Sequence, residues 1–230
     1  MSVVQEENSV DLPLTGNDET FGLGSNQPKA PFWRLVPGLD IGGATIVRQL
    51  AAGGMGRVFE AQQHAPSRKV AVKFLNGHGD GFARRLLEHE AALLARVKHT
   101  NIADVYTVGV YESQGCRYQW IMMELVEDAC SLTEYAARKN LSLEQRVRLA
   151  LDAVSAMTAA HAKGIIHLDI KSSNILVGSD GVVKVIDFGI GRVLTEKTSG
   201  QRGSAGWVRG TPASMSPEQR AGRDELIDAR

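Results

Sequence analysis

The sequence predicts an α+β protein in two unlike halves, the first mostly sheet with one helix and the second mostly helical. Three observations carry this. Short runs rich in β-branched residues, partly alternating, recur from Ala44 to Leu125. One long segment, Leu143 to Ala162, has helical spacing instead. Turn-forming glycines and polar clusters separate these runs.

Residues 1–43 read as a flexible tail, because Gly, Asn, Asp, Pro and Ser are frequent and no period persists. The exception is Pro31-Phe32-Trp33-Arg34-Leu35-Val36, whose two aromatics and two aliphatics read equally as a segment packed on the domain that follows or as an isolated sticky patch. Ala44 to Ala52 is a first strand, and Gly53-Gly54-Met55-Gly56 turns it into a second, Arg57 to Gln62. Lys69 to Leu75 is a third. Asp80 to Val97 shifts to helical spacing, with Phe82, Leu86, Leu93 and Val97 near one face. Ile102 to Val110 and Tyr118 to Leu125 complete five strands.

In the second half, Ser131 to Ala137 suits a short helix. Ser142 followed three residues later by Gln145 is a capping-box signature for the long one. Val147, Leu151, Val154, Met157 and His161 then form one mostly apolar stripe, on which His161 reads as a packed core histidine. Lys163-Gly164 ends that helix. Two short strands follow, Ile175 to Val177 and Val182 to Ile186, joined by a Gly-Ser-Asp-Gly turn. Thr195 to Gly210 shows no pattern and reads as a long mobile loop.

Hydrophobic residues make up 43% of the 230, enough to bury a core in one large domain or two small lobes. The 26 basic and 26 acidic residues give zero net charge. No global field draws the chain to nucleic acid or anionic lipid, so phosphate binding must be local. Cys116 and Cys130 lack any regular spacing, which favours two free thiols over a disulfide framework or a zinc site. The most apolar helical stretch, Leu149 to His161, is interrupted by Asp152, and the acidic start MSVVQEENS is no secretory leader. A cytoplasmic protein without a membrane segment is expected.

Several constellations carry chemistry. Gly53, Gly54 and Gly56 lie between two strands, where a missing Cβ lets backbone N–H groups approach a phosphate. On its own, such a hairpin is most often only a turn. Lys73, in Val70-Ala71-Val72-Lys73, puts a long cation on a strand, and Glu90 on the next helix could pair with it. Either residue alone usually sits on a solvated surface. The run His167-Leu168-Asp169-Ile170-Lys171-Ser172-Ser173-Asn174 sets Asp, Lys and Asn in a short loop after Ile165-Ile166. Asp187-Phe188-Gly189 follows an apolar strand. Asn174 and Asp187 offer the oxygen ligands magnesium prefers, and Asp169 can accept a proton from a hydroxyl.

The order of these motifs, closing with Ser216-Pro217-Glu218, is the signature order of protein kinases. The phrases GGMGRVFEA, GIIHLDIKSSNILV, KVIDFGIGR and GTPASMSPEQ resemble the eukaryotic-like, Hanks-type Ser/Thr protein kinases of bacteria, from about Ile46 to Gln219. The lysine two places after Asp169, and Gly210-Thr211-Pro212, favour the Ser/Thr branch. The resemblance implies a bilobal fold. Residues 44–126 would form an N-lobe with a five-stranded antiparallel sheet plus one helix. Residues 127–230 would form a partial, mostly helical C-lobe carrying the catalytic and activation loops.

By that similarity the cofactors are ATP and Mg2+, and the partners are proteins presenting Ser or Thr. Leu50, Gly53, Gly54, Gly56, Val58 and Ala71 would enclose the nucleotide. Lys73 would hold its phosphates and pair with Glu90, which lies nine positions before His99. Met123 would be the gatekeeper, with Glu124 and Val126 offering backbone groups to adenine. Asp169 would orient and deprotonate the acceptor hydroxyl, Lys171 would steady the γ-phosphate, and Asn174 and Asp187 would hold the metal. The implied activity is phosphorylation of Ser/Thr hydroxyls by in-line transfer. The alternative is a truncated or pseudokinase module that binds ATP without transfer, although Lys73, Asp169 and Asp187 are all present.

The sequence also departs from the family. Ala51 stands where the first loop glycine is usual, and Leu168 replaces the arginine that normally receives an activation-loop phosphate. That replacement argues against activation by this route. Thr195, Thr198, Ser199 and Ser204 remain candidate phosphosites. Ser172, Ser214 and Ser216 stand where proline, tyrosine and alanine are usual. Family members continue with further helices, one of which pairs an arginine with the position of Glu218. The C-lobe is therefore expected to be incomplete, with apolar surface uncovered on the Leu143 to Ala162 helix.

Overall fold

The structure, a computed structural model, describes residues 37–53, 56–75, 88–89, 91–113, 116–188, 214–221, 223 and 228. A six-stranded antiparallel sheet dominates the first half, in the order β1-β2-β3-β4-β6-β5. Its strands are β1 (Asp40–Ile41), β2 (Ala44–Gly53), β3 (Gly56–Gln63), β4 (Arg68–Leu75), β5 (Val105–Ser113) and β6 (Cys116–Glu124). The five strands expected from the sequence are joined by β1, a two-residue strand too short for any periodic signal and placed ahead of residue 44.

Alternation along β4 sets the two faces. Val70, Val72 and Phe74 pack with Ile46, Phe59 and Trp120 in a core on one side. Ala71, Lys73 and Leu75 therefore point to the other side, where Ala71 and Leu75 join a second core. That second core is shared with Leu94, Ile102, Ala156, Ala160, Val183 and Val185, so it lies between the sheet and the second half of the chain.

Gly56 shows why the β2–β3 turn needs glycine. Its φ is 145°, and a Cβ there would collide with the backbone carbonyl of Phe74 on β4.

The strand expected over Ile102 to Val110 begins instead at Val105. Ile102 forms a parallel bridge with Val185. Ala103 N donates to Val185 O at 3.0 Å, and Val185 N to Asn101 O at 2.8 Å. These apolar residues leave the large sheet because they dock on the second half, fastening it to the first.

The second half holds β7 (Cys130–Ser131), α1 (Leu132–Arg138), α2 (Leu143–His161), a 3-10 turn (Ser172–Asn174), β8 (Ile175–Val177), β9 (Val183–Val185) and α3 (Pro217–Arg220). Strands β7, β8 and β9 form a small antiparallel sheet. The predicted capping box is present: Ser142 Oγ accepts Gln145 N, and Gln145 Oε1 accepts Ser142 N. Beyond the helix, Gly164 takes φ 73°, and Ile165 N returns to Ala160 O.

The uncovered apolar surface expected on α2 is present, and the reading of His161 as a core residue is corrected. Val147, Leu151 and Val154 are 48%, 59% and 58% exposed, and His161 is half-buried rather than a core residue. The buried side is Ala153, Ala156 and Ala160, with Leu149 and Met157 packed beside it. Alanine lets the helix approach β9 closely, and its small weight in a hydrophobic pattern hides the true face. Cys130 is a free, half-buried thiol; the Cys116 side chain lies outside the described residues. Among the described residues no helix is long and apolar enough to cross a membrane.

Candidate active site

A cleft of about 450 Å3 lies between the large sheet and the small one. Leu50, Val58, Ala71, Lys73, Met123, Glu124, Val126 and Asp187 line it. Strand register explains the upper wall. Val58 pairs with Lys73, and Ala71 with Met123, so these side chains form adjacent rows on the face left free by the first core. Ala51, in place of a glycine, also lines the cleft. Gly53 and Gly56 close the β2–β3 hairpin at its end rather than lining the cleft.

Lys73 is 6% exposed, and its Nζ lies 2.7 Å from Asp187 Oδ2. Asp187 follows β9 with φ 59°, a backbone region that non-glycine residues seldom adopt. Neighbouring bonds hold it there. Ile186 N donates to Asn174 O at 2.9 Å, and Ile186 O accepts from His167 Nε2 at 2.9 Å. Phe188 is buried against the His167 ring, with centroids 4.6 Å apart.

Since a carbonyl can only accept, His167 carries its proton on Nε2. Its Nδ1 then accepts Asp169 N at 3.3 Å. Burial holds the His167 pKa below its ordinary value, against the pull of its bond to Ile186 and of nearby Asp169 and Asp187. The ring thus ties Ile186 O to Asp169 N, one bond at each nitrogen.

The loop brings its polar residues together. Lys171 Nζ lies 2.8 Å from Asp169 Oδ2. Asn174 Nδ2 donates to Asp169 O at 2.9 Å and to Asp169 Oδ2 at 3.1 Å. Asp169 and Asn174 are both buried.

Three features escape the sequence reading. Glu124 is expected to serve through its backbone, yet its side chain also works. Oε1 pairs with Lys184 Nζ on β9 at 2.6 Å, and Oε2 accepts Asp104 N at 3.1 Å. Glu60, on the same strand face as Val58, is buried in the cleft wall and pairs with Arg48 at 2.6 Å. Period-two reading of β3 could have found it. Gln219 Nε2 donates to Leu168 O at 2.9 Å, a contact across 51 residues that no local pattern signals.

Gly54, Glu90, Gly189, the Pro31 to Val36 segment and Thr195, Thr198, Ser199 and Ser204 lie outside the described residues.

Residues 44–225 match the protein kinase domain family. The probable serine/threonine-protein kinase PknB of Lactococcus lactis is 35% identical over 188 residues, which cover 80% of this chain and 29% of that protein. The serine/threonine-protein kinase PknA of Mycobacterium tuberculosis is 34% identical over 183 residues, covering 78% of this chain and 42% of that one. The chain therefore spans less than half the length of these relatives. A crystal structure of the M. tuberculosis PknI kinase domain superposes with a TM-score of 0.62 at 26% identity, covering 84% of this chain and 69% of that chain. A second crystal structure of the same kinase domain gives 0.56 at 29% identity, covering 67% of this chain and 63% of that chain.

Proposed function

The chain belongs to the protein kinase domain family, and on that premise we propose that it transfers the terminal phosphoryl group of ATP to Ser and Thr hydroxyls of proteins. The observation that carries this reading is the pairing of Lys73 with Asp187, next to a loop in which Asp169 is bonded to Lys171 and Asn174 and which Ile186 N joins through Asn174 O. The acceptor class rests on the names of the relatives.

Leu50, Val58, Ala71 and Met123 supply apolar walls suited to adenine, and the Glu124 to Val126 backbone runs along the cleft edge. Lys73 carries positive charge to the phosphates. The acceptor oxygen bonds to the γ-phosphorus as the bond to the bridging oxygen breaks. ADP leaves with that electron pair, and Asp169 takes the hydroxyl proton. Lys171 steadies charge on the transferring group. Little covalent help is needed, because alignment and fixed charge lower the barrier to a loose transition state.

The residues fit magnesium. Asp187, which lines the cleft, and the amide oxygen of Asn174 on the adjoining loop are hard donors. Among the described residues no group of three or more His, Cys, Asp or Glu gathers as a metal site. A two-donor site suits an ion that keeps water and phosphate oxygens as its other ligands. When bound, magnesium supplies neutralising charge for the phosphate oxygens.

The test is transfer of label from ATP with magnesium to a generic Ser/Thr acceptor, beside Asp169→Asn. Transfer that disappears in the variant supports the kinase. Absence of transfer from both, with ATP still raising the melting temperature, would replace it with a nucleotide-binding module.

A further inference from the structure

Leu168 has φ 66°, the left-handed region, immediately before Asp169. A non-glycine residue there is disfavoured, and it persists only where surrounding contacts over-determine the backbone. On its flanks the loop is held through the His167 ring. His167 is bonded to Ile186 O, and Asp169 N to His167 Nδ1. The Leu168 peptide has a different holder. Its carbonyl accepts Gln219 Nε2 at 2.9 Å.

Gln219 sits in the third position of α3, and both ends of its amide are engaged. Oε1 accepts Ser216 N at 3.1 Å, which completes a capping box with Ser216 Oγ and Gln219 N. Nε2 is thereby aimed at the catalytic loop. A rigid planar amide, fixed at one end by a helix cap, is a good spacer for holding a strained peptide.

We propose that Gln219 is a positioning residue for Asp169. It holds the Leu168 carbonyl, and so sets the direction in which the next residue presents its carboxylate. The inference rests on the kinase reading above, because it assigns a role in the same reaction. It also ties the Ser216-Pro217-Glu218 segment to the catalytic loop through a side chain that carries no charge, so the link needs no modification to form.

The decisive variant is Gln219→Glu. Glutamate at this position keeps the acceptor for Ser216 N, so the capping box and α3 survive. It removes the donor to Leu168 O and sets two acceptors against each other. Expected is a kcat reduced about tenfold, the loss of one positioning hydrogen bond near the reacting group. KM for ATP and the melting temperature stay within about twofold and about 2 °C of the parent. Amide exchange at Leu168 and Asp169 becomes faster.

An unchanged kcat in Gln219→Glu overturns the proposal. So does a kcat loss that comes with a lowered melting temperature and a raised KM, since that would be a merely structural role. If the parent chain itself transfers no phosphoryl group, the kinase reading falls separately. The exchange measurement then decides alone: unchanged exchange at Leu168 and Asp169 overturns the brace, and faster exchange supports it.

Discussion

Lys73 Nζ and Asp187 Oδ2, 2.7 Å apart, join the large sheet to the segment after β9 inside the cleft. The cation assigned to phosphate and the carboxylate assigned to magnesium thus neutralise each other. Both are largely sheltered, with side chains 8% and 20% exposed. Each therefore has the other as its counter-charge, and on the proposed kinase reading a magnesium–nucleotide complex would be a partner for both at once.

This pairing predicts an asymmetry between two variants. Lys73→Met and Asp187→Asn should each lower transfer by about a hundredfold or more, because each removes fixed charge at the developing transition state. Their binding should differ. Melting curves with ATP, with and without magnesium, should show that Lys73→Met keeps the magnesium-dependent part of the ATP shift. Asp187→Asn should lose it. Equal behaviour of the two would remove Asp187 from metal binding.

The buried, neutral His167 predicts an acid limb in stability. Its folded pKa lies below the unfolded value of about 6.5. Above that pH both states hold a neutral ring, and the group contributes no slope. Below it the unfolded chain takes up the proton first, so stability falls as pH falls toward the folded pKa. The slope approaches about 1.4 kcal/mol per pH unit for one proton. Urea midpoints taken from neutral pH down through the ordinary histidine range should show this loss, and His167→Gln should flatten that part of the curve while starting lower.

Much of the site was legible because its residues come in short, dense motifs whose chemistry constrains spacing. Asp169, Lys171 and Asn174 share one loop, and Lys73 is aimed by strand alternation alone. What stayed hidden are contacts between distant segments. The Gln219 bond to Leu168 and the Lys184 pair with Glu124 depend on how α3 and β9 pack, which no period reports. Ile102 and Ala103 read as strand because they are apolar, yet β9 captures them. The α2 face eludes the pattern for a related reason: its true contact is made of alanines, which packing favours and hydrophobic pattern underweights.

The Glu124–Lys184 pair predicts a defect in nucleotide binding rather than in chemistry. Glu124 links Asp104 N, beside the large sheet, to Lys184 on the small one, at the edge of the cleft. Lys184→Met should leave kcat within about twofold and raise KM for ATP several-fold, the signature of lost ground-state positioning. Stability should fall by about 1 kcal/mol, as expected for one partly sheltered, charge-assisted bond. Steady-state kinetics at varied ATP separates this from a loss of kcat, which would instead place Lys184 in the chemical step.

The two faces of α2 predict opposite responses to substitution. Ala156 is fully buried against a core that includes Val183 and Val185, and its methyl sets how close the helix lies to β9. Ala156→Leu adds volume where the interior is already filled, so it should cost about 1–3 kcal/mol. Leu151, on the same helix, is 59% exposed. Leu151→Lys should change stability by less than about 0.5 kcal/mol. It should also reduce self-association, because Val147 and Val154 flank it in an apolar patch about two turns long. Denaturant midpoints measure the first effect, and light scattering at rising concentration the second. A Leu151→Lys variant that unfolds as readily as Ala156→Leu would mean that the larger side chains, not the alanines, hold α2 in place.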